Sequence, residues 1–477
     1  MTLSSLRPVT RSLRHSITSS LRHFVTFHLC LWFLGVASAG AQTSWSRAYG
    51  GPSSDWAHAM APTPDGGYVV AGWTGSFGAG GWDAWVLKLD SAGNVQWQKT
   101  YGGTNDDWAN AIVPTSDGGY VVAGMTRSFG AGYYDVWVLK LDSSGNVQWQ
   151  KTYGGTQWDE AFAIAPTSDG GYVVAGGTSS FGGSSVWVLK LNSSGNVVWQ
   201  KTYGGTGADL ANAIVPTSDG GYVMAGRSGG DFWVLKLDGQ GNVVWQKAYG
   251  GGNYEEAHAL APTSDGGYVV AGGTSSFGAG LDDVWVLKLD GQGNVVWQKT
   301  YGGTDIDMAF AIAPTSDGGY VVAAWTWSFG TGPTNPWVLK LDGSGNVQWQ
   351  KIYGGTNGGV PHAIAPTSDG GYVVAGYGGF GIGGNDVWVL KLEADGTVRG
   401  CPSGFVQDST ASVGSTSVSP GSTSVAGQAT SASVALSSAV VGTSSASPTG
   451  VCTGLSRPRK GRKAPYKHLY LFSVCGL

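Results

Sequence analysis

Six acidic residues occupy one recurring position of a repeating sequence: Asp55, Asp107, Asp159, Asp209, Glu255 and Asp307, with Gly359 at the seventh occurrence. Trp56 and Trp108 follow their acids, and Trp158 and Tyr254 precede theirs. Carboxylates hold cations or accept bonds from hydroxyls, and flat apolar rings stack on the C–H faces of sugars. The combination is that of a carbohydrate or cation site. The same acids suit a structural duty too, accepting N–H bonds within their own turn, and near-identity in every copy favours that duty. Trp82, Tyr133, Tyr134, Trp325 and Trp327 lie in neighbouring loops, where packing between repeats is the competing use.

Catalytic chemistry is harder to find. His58, His258 and His362 share one slot that holds Asn or Phe in other copies, which suits packing better than a metal triad. A retaining glycosidase needs two carboxylates about 5–5.5 Å apart. Asp106 with Asp107, and Glu255 with Glu256, are adjacent in sequence, and strand alternation points such neighbours oppositely. No phosphate loop, Cys–His cluster or Ser–His–Asp set is legible. No catalytic residue, metal ligand or cofactor is therefore assigned.

The elements that must position these residues are strands. "DGGY" recurs with its aspartate at 65, 117, 169, 219, 265, 317 and 369, and "WVLKL" recurs from Trp85 to Trp388. Each unit holds four strand-like runs, as in 257–263, 267–274, 284–290 and 294–302, separated by Gly-, Ser- and Asp-rich reversals. Four antiparallel strands per unit of this length make a propeller blade. The seventh copy lacks its outer strand, and Trp45–Tyr49 carries the missing phrase. The expectation is an all-β, seven-bladed propeller of four-stranded blades, closed by an N-terminal outer strand. Closure removes two free sheet edges. Invariant turns fall on one rim; the variable segments, with the acids and aromatics, fall on the other, where recognition is expected.

The "DGGYVVAG…WVLKLD…GNVxWQKTYGG" unit resembles secreted bacterial and archaeal β-propeller repeat proteins over residues 44–393. Within it, "LDxxGNVxW" (Leu289 to Trp297) is similar to the tryptophan-docking repeat of quinoprotein-type propellers. That resemblance implies a blade-bracing role for Trp97, Trp149, Trp199, Trp245, Trp297 and Trp349, and Trp45 holds the equivalent place in the closing strand. No quinone or metal site accompanies it.

Residues 1–41 read as a signal peptide, with Arg7, Arg11, Arg14 and Arg22 before an apolar stretch and small residues at Ala37, Ala39 and Ala41. Residues 42–400, the propeller, hold 17 Lys and Arg against 30 Asp and Glu, and such an acidic body repels nucleic acid. Residues 401–452 are a Ser/Thr/Ala/Val-rich tail suited to a spacer or a weak β-layer, bracketed by Cys401 and Cys452, which export would allow to bond. A basic extension, 453–477, follows. The expected protein is secreted or held at the cell surface, monomeric, without a membrane span after signal cleavage. It presents a non-catalytic rim to an extracellular glycan or surface protein. The alternatives are a polysaccharide-acting hydrolase using rim carboxylates and a purely structural envelope scaffold.

Overall fold

The computed structural model describes residues 44–409 except 182, 205, 206, 382, 402 and 403. It then describes 411–415 and, further on, five short tail strands ending at Gly450. From Ser412 onward only the backbone is described. The signal-peptide reading, Cys452 and the basic extension fall outside these residues.

Seven antiparallel sheets make up a seven-bladed propeller. Blade one runs Asp55–Pro62, Tyr68–Thr74, Asp83–Leu89 and Val95–Gly102 from inside to outside, and later blades repeat that order. The second and third strands of blade one are buried on both faces, so they read as continuous apolar runs rather than alternating ones. Inner strands are built from small residues, and each of them carries a bulge, as between Ala57 and Ala59.

Blade seven supplies only Gly359–Pro366, Tyr372–Gly378 and Asp386–Leu392 from its own repeat. Trp45–Tyr49 completes it, with Trp45 opposite Lys391 and Tyr49 opposite Val387. The ring closes as the broken first repeat requires.

One latch joins each blade to the next. Trp45 donates its indole N–H to the carbonyl of Ser91, and Trp97, Trp149, Trp199, Trp245, Trp297 and Trp349 do the same onward, at 3.0–3.3 Å. The Tyr49 hydroxyl reaches the Gly93 carbonyl at 2.6 Å. Gly93 has φ +77°, and a Cβ there would lie 2.8 Å from the Trp45 ring. Only glycine meets both demands. On the same rim Lys88, 4% exposed, pairs with Asp65 at 2.7 Å, and the other six blades repeat that bond.

The tail does more than space. Its backbone adds a short fifth strand to every blade.

Candidate functional site

The loop between the second and third strands of one blade meets the link into the next blade, and together they build the variable rim. Asp107 N–H donates to the Trp82 carbonyl at 2.7 Å, and Asp55 N–H to that of Asn385 at 2.7 Å.

The recurrent acids lie beneath this rim, turned inward. Asp55, Asp107, Asp159, Glu255 and Asp307 are 0% exposed and Asp209 is 4% exposed. Asp55 accepts from the Thr74 hydroxyl, from Gly51 N–H at 2.8 Å and from the Ser76 hydroxyl at 2.8 Å. Asp107 and Asp159 repeat the set with Thr126 and Ser128, and with Thr178 and Ser180. Glu255 reaches Thr274 at 2.9 Å and Gly251 N–H at 3.0 Å. In this geometry they pin their own turns; a ligand in solvent does not meet them.

A second set of acids escaped the sequence reading. Asp83, Asp135, Asp231, Asp283 and Asp386 open the third strands, each two residues before the Trp of "WVLKL". Each sits near the inner acid of the following blade. Asp386 and Asp55 both crowd Gly50, where a Cβ would lie 2.0 Å from one carboxylate and 2.7 Å from the other. Burial, then the Asp55 charge, pushes Asp386 up to about 7. Blade six has Asn335 at this place, and its neighbour there is Gly359: both members of the acid pair are absent together.

The aromatics form a continuous arc over blades seven, one, two and three. Tyr377 stacks on Trp56 with centroids 3.8 Å apart, Trp56 on Trp73 at 4.7 Å, and Trp73 on Trp82 at 4.4 Å. Trp108 lies 5.7 Å from Trp82 and 6.2 Å from Tyr134, which stands 4.4 Å from Trp158. Trp82 is 40% exposed and Tyr133 52%, with the Arg127 guanidinium 4.8 Å over the Tyr133 ring. Trp327, 40% exposed, stands 5.4 Å from Trp325 in blade six. The indole N–H groups of Trp56, Trp108 and Trp325 meet no acceptor among the described residues.

Blades three to five supply the polar part. The fourth blade's short reversal leaves Arg227 over Tyr254, 3.2 Å from Glu256, which also takes a bond from Asn212 at 3.0 Å. Tyr254 thus belongs to this cluster, apart from the aromatic arc. Glu160 is pushed up to about 7 by burial. His258 packs 4.9 Å from Phe310, Phe310 4.8 Å from His362, and His362 4.8 Å from His58. Burial lowers His58 to about 4, leaving it neutral at physiological pH. Among the described residues no three His, Cys, Asp or Glu are placed to hold a metal ion.

Residues 82–284, less than half of the chain, match the family model described as outer membrane protein assembly factor BamB. The regulatory protein FlaEY of Caulobacter vibrioides is 32% identical over 111 residues, covering 20% of this chain and 12% of that relative's length. Among solved structures, Sqt1 from Chaetomium thermophilum shares 14% identity over 74% of this chain and 98% of its own, with a TM-score of 0.42. A protein from Lactobacillus plantarum shares 14% over 72% and 98%, with a TM-score of 0.44. No helix of the described residues is long and apolar enough to cross a membrane.

Proposed function

We propose that this chain is an exported, non-catalytic propeller whose variable rim binds extracellular carbohydrate. The observation that carries the reading is the stack of Trp73 on Trp82, 4.4 Å apart, with Trp82 40% exposed and rings continuing on both sides. Exposed flat rings accept the C–H face of a sugar, and their breadth suits a chain of sugars rather than one. The polar cluster of Arg227, Glu256 and Asn212 offers hydroxyl partners on the same rim. A surface protein would use the same rings as anchors. Binding to an array of neutral and acidic glycans, beside immobilised protein ligands, separates the two.

A polysaccharide-acting hydrolase is the second reading. Glu160 is raised to about 7 while His258 and Arg227 hold Glu256 below the usual carboxylate range against the opposing effect of burial. Carboxyls with separated proton affinities are what an acid and its partner base need. Release of reducing ends from a bound glycan, lost in Glu160→Gln, would establish that reading; retention without release supports the binder.

A further inference from the structure

Every blade is one strand wider than its repeat explains, and the added strands come from the tail in a fixed order. Val406–Asp408 pairs with the outer strand of blade six, and Ser412–Ser415 with that of blade five. Gly421–Ser422, Gln428–Ala429, Ser433–Leu436 and Val440–Thr443 follow on blades four, three, two and one. Thr449–Gly450 lies on Trp45–Tyr49 of blade seven. The described tail strands fall one on each blade, in an order opposite to that of the repeats.

Its register is constant. Asp408 faces Lys351, Ser415 faces Lys299, Ser422 faces Lys247 and Ala429 faces Lys201. Leu436, Thr443 and Gly450 then face Lys151, Lys99 and Arg47, the same position of each outer strand. These seven tail positions are spaced seven residues apart. The sequence keeps that period: the next position is Ser409, Thr416, Thr423, Thr430, Ser437 and Ser444 in the first six. One member shows what the hydroxyl does. Ser409 accepts the indole N–H of Trp337, the buried third-strand tryptophan of blade six, at 2.9 Å. In blade seven Ser46 does the same for Trp388 at 2.8 Å.

Counting back seven from Asp408 gives Cys401, which is disulfide-bonded. Arg399, two residues before it, donates its N–H to Ser44 at 3.0 Å, at the start of the strand on which Gly450 ends. Both ends of the circuit therefore arrive at blade seven.

We propose that residues 401–452 are a seven-residue repeat matched to the seven blades, a belt that adds one strand per blade and is locked on blade seven by a Cys401–Cys452 bond. It covers outer edges that would otherwise accept strands from other chains. The belt is independent of what the rim binds.

Peptide mapping of the oxidised full-length protein tests the lock, and hydrogen exchange tests the belt. The expected results are one Cys401–Cys452 peptide pair and outer-strand amides, such as those of 295–302, exchanging at least tenfold slower than in Cys452→Ser. If that variant fails to fold, wild-type protein reduced after folding gives the same comparison. Cys401 bonded to Cys30 or Cys475, or equal exchange with the bond present and absent, overturns the proposal.

Discussion

Trp388 gives its indole N–H to the hydroxyl of Ser46 at 2.8 Å, joining positions 342 residues apart in the chain. A buried indole needs an acceptor, and here the last repeat finds it in a strand from the first. Ring closure is thus a matter of particular atoms, and it stabilises the sheet that carries one end of the aromatic arc.

Trp45→Ala should be costly. The ring is 4% exposed, fills blade one's turn and donates to Ser91. A loss of about 3–5 kcal/mol is expected, as for other buried aromatics cut to alanine. Chemical denaturation reads it directly, and a loss below 1 kcal/mol would show that the closing strand bears little load.

Two glycines separate conformation from contact. Gly66 has φ +79° with nothing within 4 Å of a Cβ, whereas Gly93 has φ +77° and the Trp45 ring at 2.8 Å. Alanine at either place pays about 1–2 kcal/mol for the left-handed backbone. Gly93→Ala should lower the melting temperature clearly more than Gly66→Ala, because the docked indole must also move. Equal shifts would remove the contact from the account.

Acid pairing gives a pH dependence of definite sign. An unfolded aspartate titrates near 3.9. Asp386, raised to about 7, binds its proton more tightly when folded, so its contribution is full below about 4 and declines as pH rises through 7. Asp386→Asn, the residue that blade six already uses, should flatten the melting temperature between pH 5 and 8 and raise it at pH 8. Asp265 works the other way. The Lys288 ammonium, then Thr263, hold it down to about 2, so its contribution is present above about 4 and is lost as pH falls through 2. An unchanged profile in Asp386→Asn would show that Asp386 does not titrate in this range.

Much of this was legible because repetition amplifies weak signals. Four runs per unit, the constant turns and the orphaned Trp45 phrase together specify a closed seven-bladed ring. The inner acids were visible but ambiguous, since a carboxylate in a turn and one in a site have the same spelling; only the bonds to Thr74 and Ser76 place Asp55 inward. The partner acids, Asp386 and its equivalents, had a readable signal two residues before each "WVLKL" tryptophan. The arc was legible only in part: Trp56, Trp82, Trp108, Tyr134 and Trp158 stood out as rim aromatics, but Trp73 and Tyr377, which link them, lie inside second strands and have no counterpart ring in most other copies. The tail's seven-residue period was hidden by its composition, in which Ser and Thr abound at every position. Register against Lys299 and its counterparts makes it visible.

The central claim rests on the exposed indole of Trp82 and is tested most directly by titrating purified protein with oligosaccharides from a glycan array while following tryptophan fluorescence. Wild-type protein should saturate with at least one glycan, and Trp82→Ala should weaken that binding at least tenfold with its melting temperature unchanged. No saturable binding across the array, or the same affinity in Trp82→Ala as in wild type, would contradict the assignment of a carbohydrate site to this rim.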